Sequence, residues 1–183
     1  RGTADAGEKV GNYVDKKTGI PVISLYGTKR RPSADDLNDV DVLIFDIQDV
    51  GVRFYTYISS LEELMNAAFE TQKPLIILDR PNPNGFYIDG PVLDKKYKSF
   101  VGMQPVPIVY GMTMGEYAWM LVGEKWLTPK ANEKYARLKN TASDFFKVIK
   151  CVGYTHLSKY ELPVKPSPNL PNIQSIYVYP STC

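Results

Sequence analysis

Histidine and cysteine are almost absent: 183 residues carry one histidine, His156, and two cysteines, Cys151 and Cys183. A zinc site built on imidazoles is therefore disfavoured, and the thiols have neither metal-ligand nor CxxC spacing. They read as unlinked, with a disulfide left open. His156 stands among Tyr, Thr, Ser and Lys and reads as a loop residue rather than a base. No apolar run approaches the roughly 18 residues of a membrane-spanning helix. Charge of one sign is not in excess. The formal net charge is +2 and the longest basic run is Lys29-Arg30-Arg31, so neither a nucleic-acid nor an anionic-membrane surface is indicated. No Gly-rich phosphate cradle appears, and the residues imply no cofactor. No signal peptide is visible, yet the chain opens on Arg1 rather than Met, which leaves a leader outside it open.

What is present fits one domain with a real core, and its centre is Asp41 to Glu70. Val42, Leu43, Ile44 and Phe45 form a short apolar run, the pattern of a strand covered on both faces. Asp46, Gln48, Asp49 and Arg53 follow at its carboxyl end, where open α/β sheets place ligands. Phe54, Tyr57, Ile58, Leu61, Leu64, Met65, Ala68 and Phe69 then recur at helical spacing, which assigns Glu62, Glu63, Asn66 and Glu70 to the other face. Leu75 to Leu78 is a second apolar strand ending in Asp79-Arg80. Strand, helix, strand predicts a parallel βαβ unit, with Asp46 and Asp79 along one rim and Asp49, Arg53, Arg80, Asn82 and Asn84 in the loops above.

Around this centre the signals are shorter. Residues 1 to 19 are polar and Gly-rich and predict loop, with small residues from Gly2 to Gly7 that would let backbone approach a ligand. Pro21 to Leu25 predicts a strand, and Ser33 an N-cap for a helical turn through Leu37, together a further β-α unit. The prolines of Arg80-Pro81-Asn82-Pro83-Asn84-Gly85 stiffen a loop in which Asn84-Gly85 can take positive φ. Phe86 to Ile88 and Val106 to Tyr110 are short strand candidates. Thr113-x-x-Glu116 matches a capping box, which explains Glu116 structurally. Residues 130 to 140 predict helix or loop, and Phe145 to Cys151 a strand. Residues 162 to 172 are extended and Pro-stiffened, and the apolar Ile173 to Tyr179 beyond them suggests that more protein follows Cys183.

These blocks resemble a family, the exo-β-N-acetylmuramidases typified by NamZ. The resemblance rests on Arg1-Gly2-x-Ala4-Asp5-Ala6-Gly7, on Ser24-Leu25-Tyr26-Gly27, and on Asp41 to Tyr57. It extends to Asp79 to Gly85, Asp89-Gly90-Pro91 and Leu162 to Pro171, and so covers nearly the whole chain. It implies an α/β, Rossmann-like, mainly parallel sheet flanked by helices over residues 1 to 183, truncated at both ends, with a smaller C-terminal domain beyond. It also implies a bacterial hydrolase, secreted, periplasmic or on the cell surface, that removes terminal N-acetylmuramic acid from peptidoglycan fragments in cell-wall recycling. Two departures stand out. The family's Glu-His-Gly-Phe, whose glutamate is a leading catalytic candidate, precedes the position of Arg1, and Tyr110-Gly111-Met112 stands where relatives often have His-Gly-Met.

Glycoside hydrolysis commonly uses two carboxyl groups flanking the scissile bond, and Asp46, Asp49 and Asp79 are the candidates, their crowding expected to raise one pKa. Arg1, Arg53 and Arg80 suit the lactyl carboxylate of muramic acid. Gln48, Asn82, Asn84, Ser167 and Asn169 suit hydroxyl or acetamido groups, and Tyr55 or Tyr57 a sugar face. Two other readings stay open. Aspartates at strand ends can hold Mg²⁺ for phosphoryl hydrolysis, and a chain without the upstream glutamate could bind carbohydrate without turnover.

Overall fold

The computed structural model describes residues 11–140 and 144–182, so Arg1, the Gly2 to Gly7 segment and Cys183 lie outside the described residues. A small antiparallel pair, β1 (Tyr13–Val14) and β2 (Pro21–Val22), stands apart from the main sheet. The expected β-α unit is thus a hairpin followed by one 3₁₀ turn, Asp35–Leu37. Ser33 still accepts the Asp36 N–H, as an N-cap would, while the Asp36 carboxylate accepts from Ser33 in return.

The main sheet has three parallel strands in the order β3 (Leu43–Phe45), β4 (Leu75–Leu78), β5 (Phe146–Ile149). The strands bearing Asp46 and Asp79 pair in parallel as direct neighbours, one of the two arrangements, adjacent or one strand apart, that the βαβ pattern allows. A 3₁₀ turn at Arg53–Tyr55 and a left-handed Thr56 lead from the rim into α1 (Tyr57–Glu70), which returns the chain to β4. Helices α2 (Met114–Gly123) and α3 (Pro129–Leu138) then lead to β5. Both have side-chain caps: Thr113 and Glu116 form the expected capping box on α2, and Thr128 caps α3.

These three helices share one core with one face of the sheet. Phe45, Leu75, Ile77 and Phe146 are buried against Ile58, Leu61 and Met65 of α1, Tyr117 and Leu121 of α2, and Ala131 of α3. Phe69 is its hub, stacked on Tyr135 and packed on Phe145 and Phe146; truncating such a ring costs about 3–5 kcal/mol. Alternate strand residues point the other way, because side chains change face at each step. Ile44 is 57 % and Ile149 51 % exposed. The β3 strand is therefore covered on one face, not two as its apolar run predicts. The converse holds on α1: Glu62 and Asn66, predicted for the open face, are buried, because α1 packs against both α2 and α3. Glu62 accepts from Gln104 at 2.8 Å, and Asn66 accepts the Thr128 N–H at 2.9 Å.

Of two further strand candidates, residues 106–110 are reduced to bridges, Val109 pairing with Val52 and with Asp89, and residues 86–88 form no strand. Beyond β5 the Pro-stiffened segment leads to α4 (Ile173–Val178). Leu170 and Ile176 close a second core cluster under Val50 and Val52, which holds this segment to the loop after β3.

Candidate functional site

Parallel strands put their carboxyl ends on one edge, and a cleft of about 550 Å³ lies there. Asp46, Leu78, Asp79, Arg80 and Pro81 line one side, and Cys151, Val152, Gly153, Tyr154, Ser158 and Tyr160 the other. Asp46 and Asp79 are the residues immediately after β3 and β4. The far wall follows β5.

Each rim carboxylate has defined partners. Oδ1 of Asp46 accepts a hydrogen bond from Nε of Arg80 at 2.7 Å, and Nη2 forms an ion pair with the same oxygen at 2.7 Å. A guanidinium has five N–H donors, so donors remain for an incoming anion. Asp79 accepts the Thr113 hydroxyl at 2.7 Å, the Gly115 N–H at 2.8 Å and the Arg80 N–H at 3.1 Å. It thereby fixes the N-terminus of α2 against the rim. A Cβ on Gly115 would lie 2.4 Å from Val148 and 2.9 Å from that carboxylate, so only glycine admits this approach.

Asp49 is placed differently. It is buried and outside the cleft lining; Oδ2 accepts the Gly51 N–H and the Tyr110 hydroxyl, while Oδ1 has no partner. Burial pushes its pKa up to about 6, against the pull of Tyr110 and of the Gly51 and Val50 N–H groups. The rise comes from desolvation and not from the crowded carboxylates that the sequence suggests. Tyr110 is thus the partner of this buried acid.

Several other candidates bind their own chain. The Arg53 guanidinium donates to the Pro91 and Val106 carbonyls. Gln48 donates to the carbonyls of Asp49 and Pro81, joining the loops after β3 and β4. Asn82 donates to Met112 and accepts the Asn84 N–H, and Asn84 donates to Val50 and Ile176. Those side-chain bonds, not positive φ at Asn84 or Gly85, hold this loop. The Tyr55 hydroxyl donates to Pro166, and its ring meets Tyr57 edge-on at 5.0 Å. Ser167 accepts the Asn169 N–H at 3.2 Å. None of these six lines the cleft, nor do Tyr57 and Asn169. What the sequence reading missed is the far wall, Cys151 to Tyr160. The strand-end rule that singles out Asp46 and Asp79 would have found it if applied to β5.

The buried acids away from the cleft make stability depend on pH. Burial raises Glu62 to about 7, opposed by its bond from Gln104. A carboxyl whose folded pKa is raised binds its proton more tightly in the folded state, so stability falls as pH rises from the unfolded value through the folded one. For Glu62 and Asp49 that window runs from about 4 to about 7. Glu62→Gln keeps an acceptor for Gln104, and is expected to raise unfolding free energy at pH 8 by about 2 kcal/mol while changing it little at pH 4. Urea unfolding at both pH values checks this; an equal gain at each would refute the assigned cause.

The family model described as "Exo-beta-N-acetylmuramidase NamZ, N-terminal" matches residues 1–174. The chain is 45 % identical over 186 aligned residues to the peptidoglycan beta-N-acetylmuramidase NamZ of Bacillus subtilis (strain 168), covering 100 % of this chain and 42 % of that protein. Crystal structures of two DUF1343-family proteins from Bacteroides fragilis NCTC 9343 superpose with TM-scores of 0.79 and 0.78 at 50 % and 40 % identity. They match 91 % and 90 % of this chain, and 43 % and 41 % of their own length is covered. The chain thus spans less than half of the relatives it matches. With the match running almost from end to end of the sequence, this chain belongs to the family of NamZ exo-β-N-acetylmuramidase N-terminal regions.

Proposed function

We propose that the protein to which this chain belongs is an exo-acting glycosidase that releases N-acetylmuramic acid from the non-reducing end of peptidoglycan fragments, outside the cytoplasm and in the service of cell-wall recycling. The observation that carries this reading is the rim cleft, where Asp46, Asp79 and Arg80 line one wall. Its volume, about 550 Å³, lies within the range of small-ligand sites. Muramic acid differs from N-acetylglucosamine by a lactyl ether whose carboxylate is negative at neutral pH. Arg80 is the one Lys or Arg side chain among the described lining residues, and its guanidinium, oriented by Asp46, matches a carboxylate. Tyr154 and Tyr160 on the opposite wall offer aromatic surface to a sugar ring.

In this reading Asp46 and Asp79 are the carboxyl groups nearest the glycan, acting with the glutamate that the resemblance puts before Arg1. Glycosidic oxygen is a poor leaving group, so one carboxyl must deliver a proton while another, ionised, supports the developing positive charge or activates water. Asp49 supports the loop from beneath. The direct test is release of N-acetylmuramic acid from a MurNAc-GlcNAc disaccharide by the full-length protein, followed by mass spectrometry. Failure to cleave any non-reducing-end muramyl glycoside would overturn the reading.

A second expectation concerns selectivity. Arg80→Met should raise KM for the muramyl substrate by about tenfold or more with a smaller change in kcat, the range for removing a charged hydrogen bond. Preference for muramyl over N-acetylglucosaminyl glycosides should fall by a similar factor. Unchanged preference in competition assays would remove Arg80 from substrate recognition.

A further inference from the structure

The far wall of the cleft is lightly held. Val152 and Leu157 are almost fully exposed, and residues 152–160 contain no strand or helix. A small turn, in which Ser158 Oγ accepts the Thr155 N–H at 3.0 Å, encloses His156. Cys151 Sγ, just after β5, donates to the Asp79 carbonyl at 3.0 Å, and beyond it two side-chain attachments tie the described loop to the rest of the protein. The Tyr154 hydroxyl lies 3.3 Å from both the N–H and the carbonyl of Asn82, which is long for such bonds. The other is His156, held at both ring nitrogens. Nδ1 is 3.0 Å from the Gly85 carbonyl and Nε2 is 3.0 Å from Oε1 of Glu116.

That arrangement fixes a proton count. A carbonyl only accepts, so Nδ1 carries a hydrogen. A neutral imidazole protonated at Nδ1 has a lone pair at Nε2, and an ionised carboxylate offers only lone pairs in return. The contact at 3.0 Å therefore requires one more proton between Nε2 and Oε1. Oε2 of Glu116 is already engaged, accepting the Thr113 N–H at 2.8 Å in the capping box. The glutamate is thus held in place by its helix, and the histidine is the movable partner.

We propose that the proton shared by His156 and Glu116 latches the 151–160 wall onto the N-terminus of α2, making His156 a positioning residue for glycan binding; this rests on the cleft being the muramyl-glycoside site. His156 touches no reacting atom. It acts through Tyr154, Ser158 and Tyr160, which line the cleft from the same loop. The groups facing the imidazole are Glu116 of α2, the carbonyls of Gly85 and Gly111, and the Tyr154 ring at 5.9 Å. The Glu116 hydrogen bond, chiefly, holds the imidazole above its ordinary pKa, with the two carbonyls adding to it and burial opposing. A raised histidine gives stabilisation that is complete at low pH and lost as pH rises through the folded value. The wall is therefore latched on the acid side and loosened on the alkaline side.

Glu116→Gln is the informative variant, because glutamine at that capping position still reaches the Thr113 N–H while removing the charge. In the full-length protein, KM for a muramyl glycoside is expected to rise about two- to fivefold as pH increases through the histidine titration, the range for a half-exposed ion pair. In His156→Gln this rise should disappear, with KM high throughout. The imidazole signals lost from the ¹H–¹⁵N spectrum in His156→Gln identify the residue. They should titrate above the ordinary value in the parent and lower in Glu116→Gln. Protection factors of the amides of residues 152–160, with the intrinsic base catalysis of exchange divided out, should fall over the same pH interval in the parent only. The proposal is overturned if the imidazole titrates alike in parent and Glu116→Gln, if those protection factors do not change with pH in the parent, or if the KM rise survives in His156→Gln. Should no muramyl glycoside be cleaved at all, the functional reading falls, while titration and exchange still decide the latch.

Discussion

Asp79→Asn and Asp46→Asn are each expected to lower kcat/KM of the full-length protein on muramyl glycosides by about a hundredfold or more, the usual scale for a lost acid or base. Neither change should unfold the protein. Asn at position 79 keeps an acceptor for the Gly115 N–H, and its amide can donate to the Thr113 oxygen that now donates to Asp79. Asn at position 46 keeps one oxygen toward Arg80, losing charge rather than shape. The half-exposed Asp46–Arg80 pair contributes at most about 1 kcal/mol to stability, so a large kinetic effect could not be ascribed to unfolding. Rates near the parent value in both variants would remove these carboxylates from the mechanism. Asp49→Asn tests the buried acid separately. Loss of turnover there, with urea unfolding unchanged, would return the catalytic role to Asp49.

The largest expected effect on stability comes from a residue without a side chain. Gly51 has φ of 75°, and a Cβ built there would lie 2.2 Å from Oδ1 and 2.7 Å from Cγ of Asn82. Asn82 cannot yield freely, because it is buried and holds both the Met112 carbonyl and the Asn84 N–H. Gly51→Ala therefore combines left-handed strain of about 1–2 kcal/mol with displacement of a buried hydrogen-bonded amide, for a total of about 3–5 kcal/mol. Gly19→Ala serves as the control. Its φ is 71° but nothing lies within 4 Å, so only the strain should appear. Equal losses at the two positions in urea unfolding would refute the steric part. A Gly51→Ala protein that folds should also show a disturbed rim, since Asn82 sits between Pro81 of the cleft and the loop after β3.

The rim was readable because its signals are local. An apolar run that stops at an acid names both a strand and its end, and Asp46 and Asp79 follow from that with one rule of chirality. The Thr113 to Glu116 box likewise depends on four consecutive positions. What could not be read depends on which elements meet. Glu62 and Asn66 look solvent-facing on an isolated helix, and only the approach of α2 and α3 buries them. Ile44 shows the opposite error, since an apolar strand residue does not state whether anything covers it. Arg53, Asn82 and Asn84 were recognised as important for the right reason, their place in rim loops. Their donors and acceptors satisfy backbone groups that a tight loop leaves unpaired, and sequence does not distinguish this use from ligand recognition. His156 reads as a loop residue from its Tyr, Thr, Ser and Lys neighbours, and its contact with Glu116 across 40 positions leaves no local trace.

The strand order leaves β3 and β5 at the two edges of the described sheet. Edge strands expose unpaired N–H and C=O groups, a template onto which another chain can add. The two edges are not equally guarded. Lys147 stands exposed within β5, and a lysine on an edge opposes docking by a second apolar strand. Within β3 there is no charge, and Val42 and Ile44 present apolar surface beside the open backbone. Among the described strands the less guarded edge is therefore β3, and it runs directly into Asp46, so that anything added along that edge would meet the rim cleft.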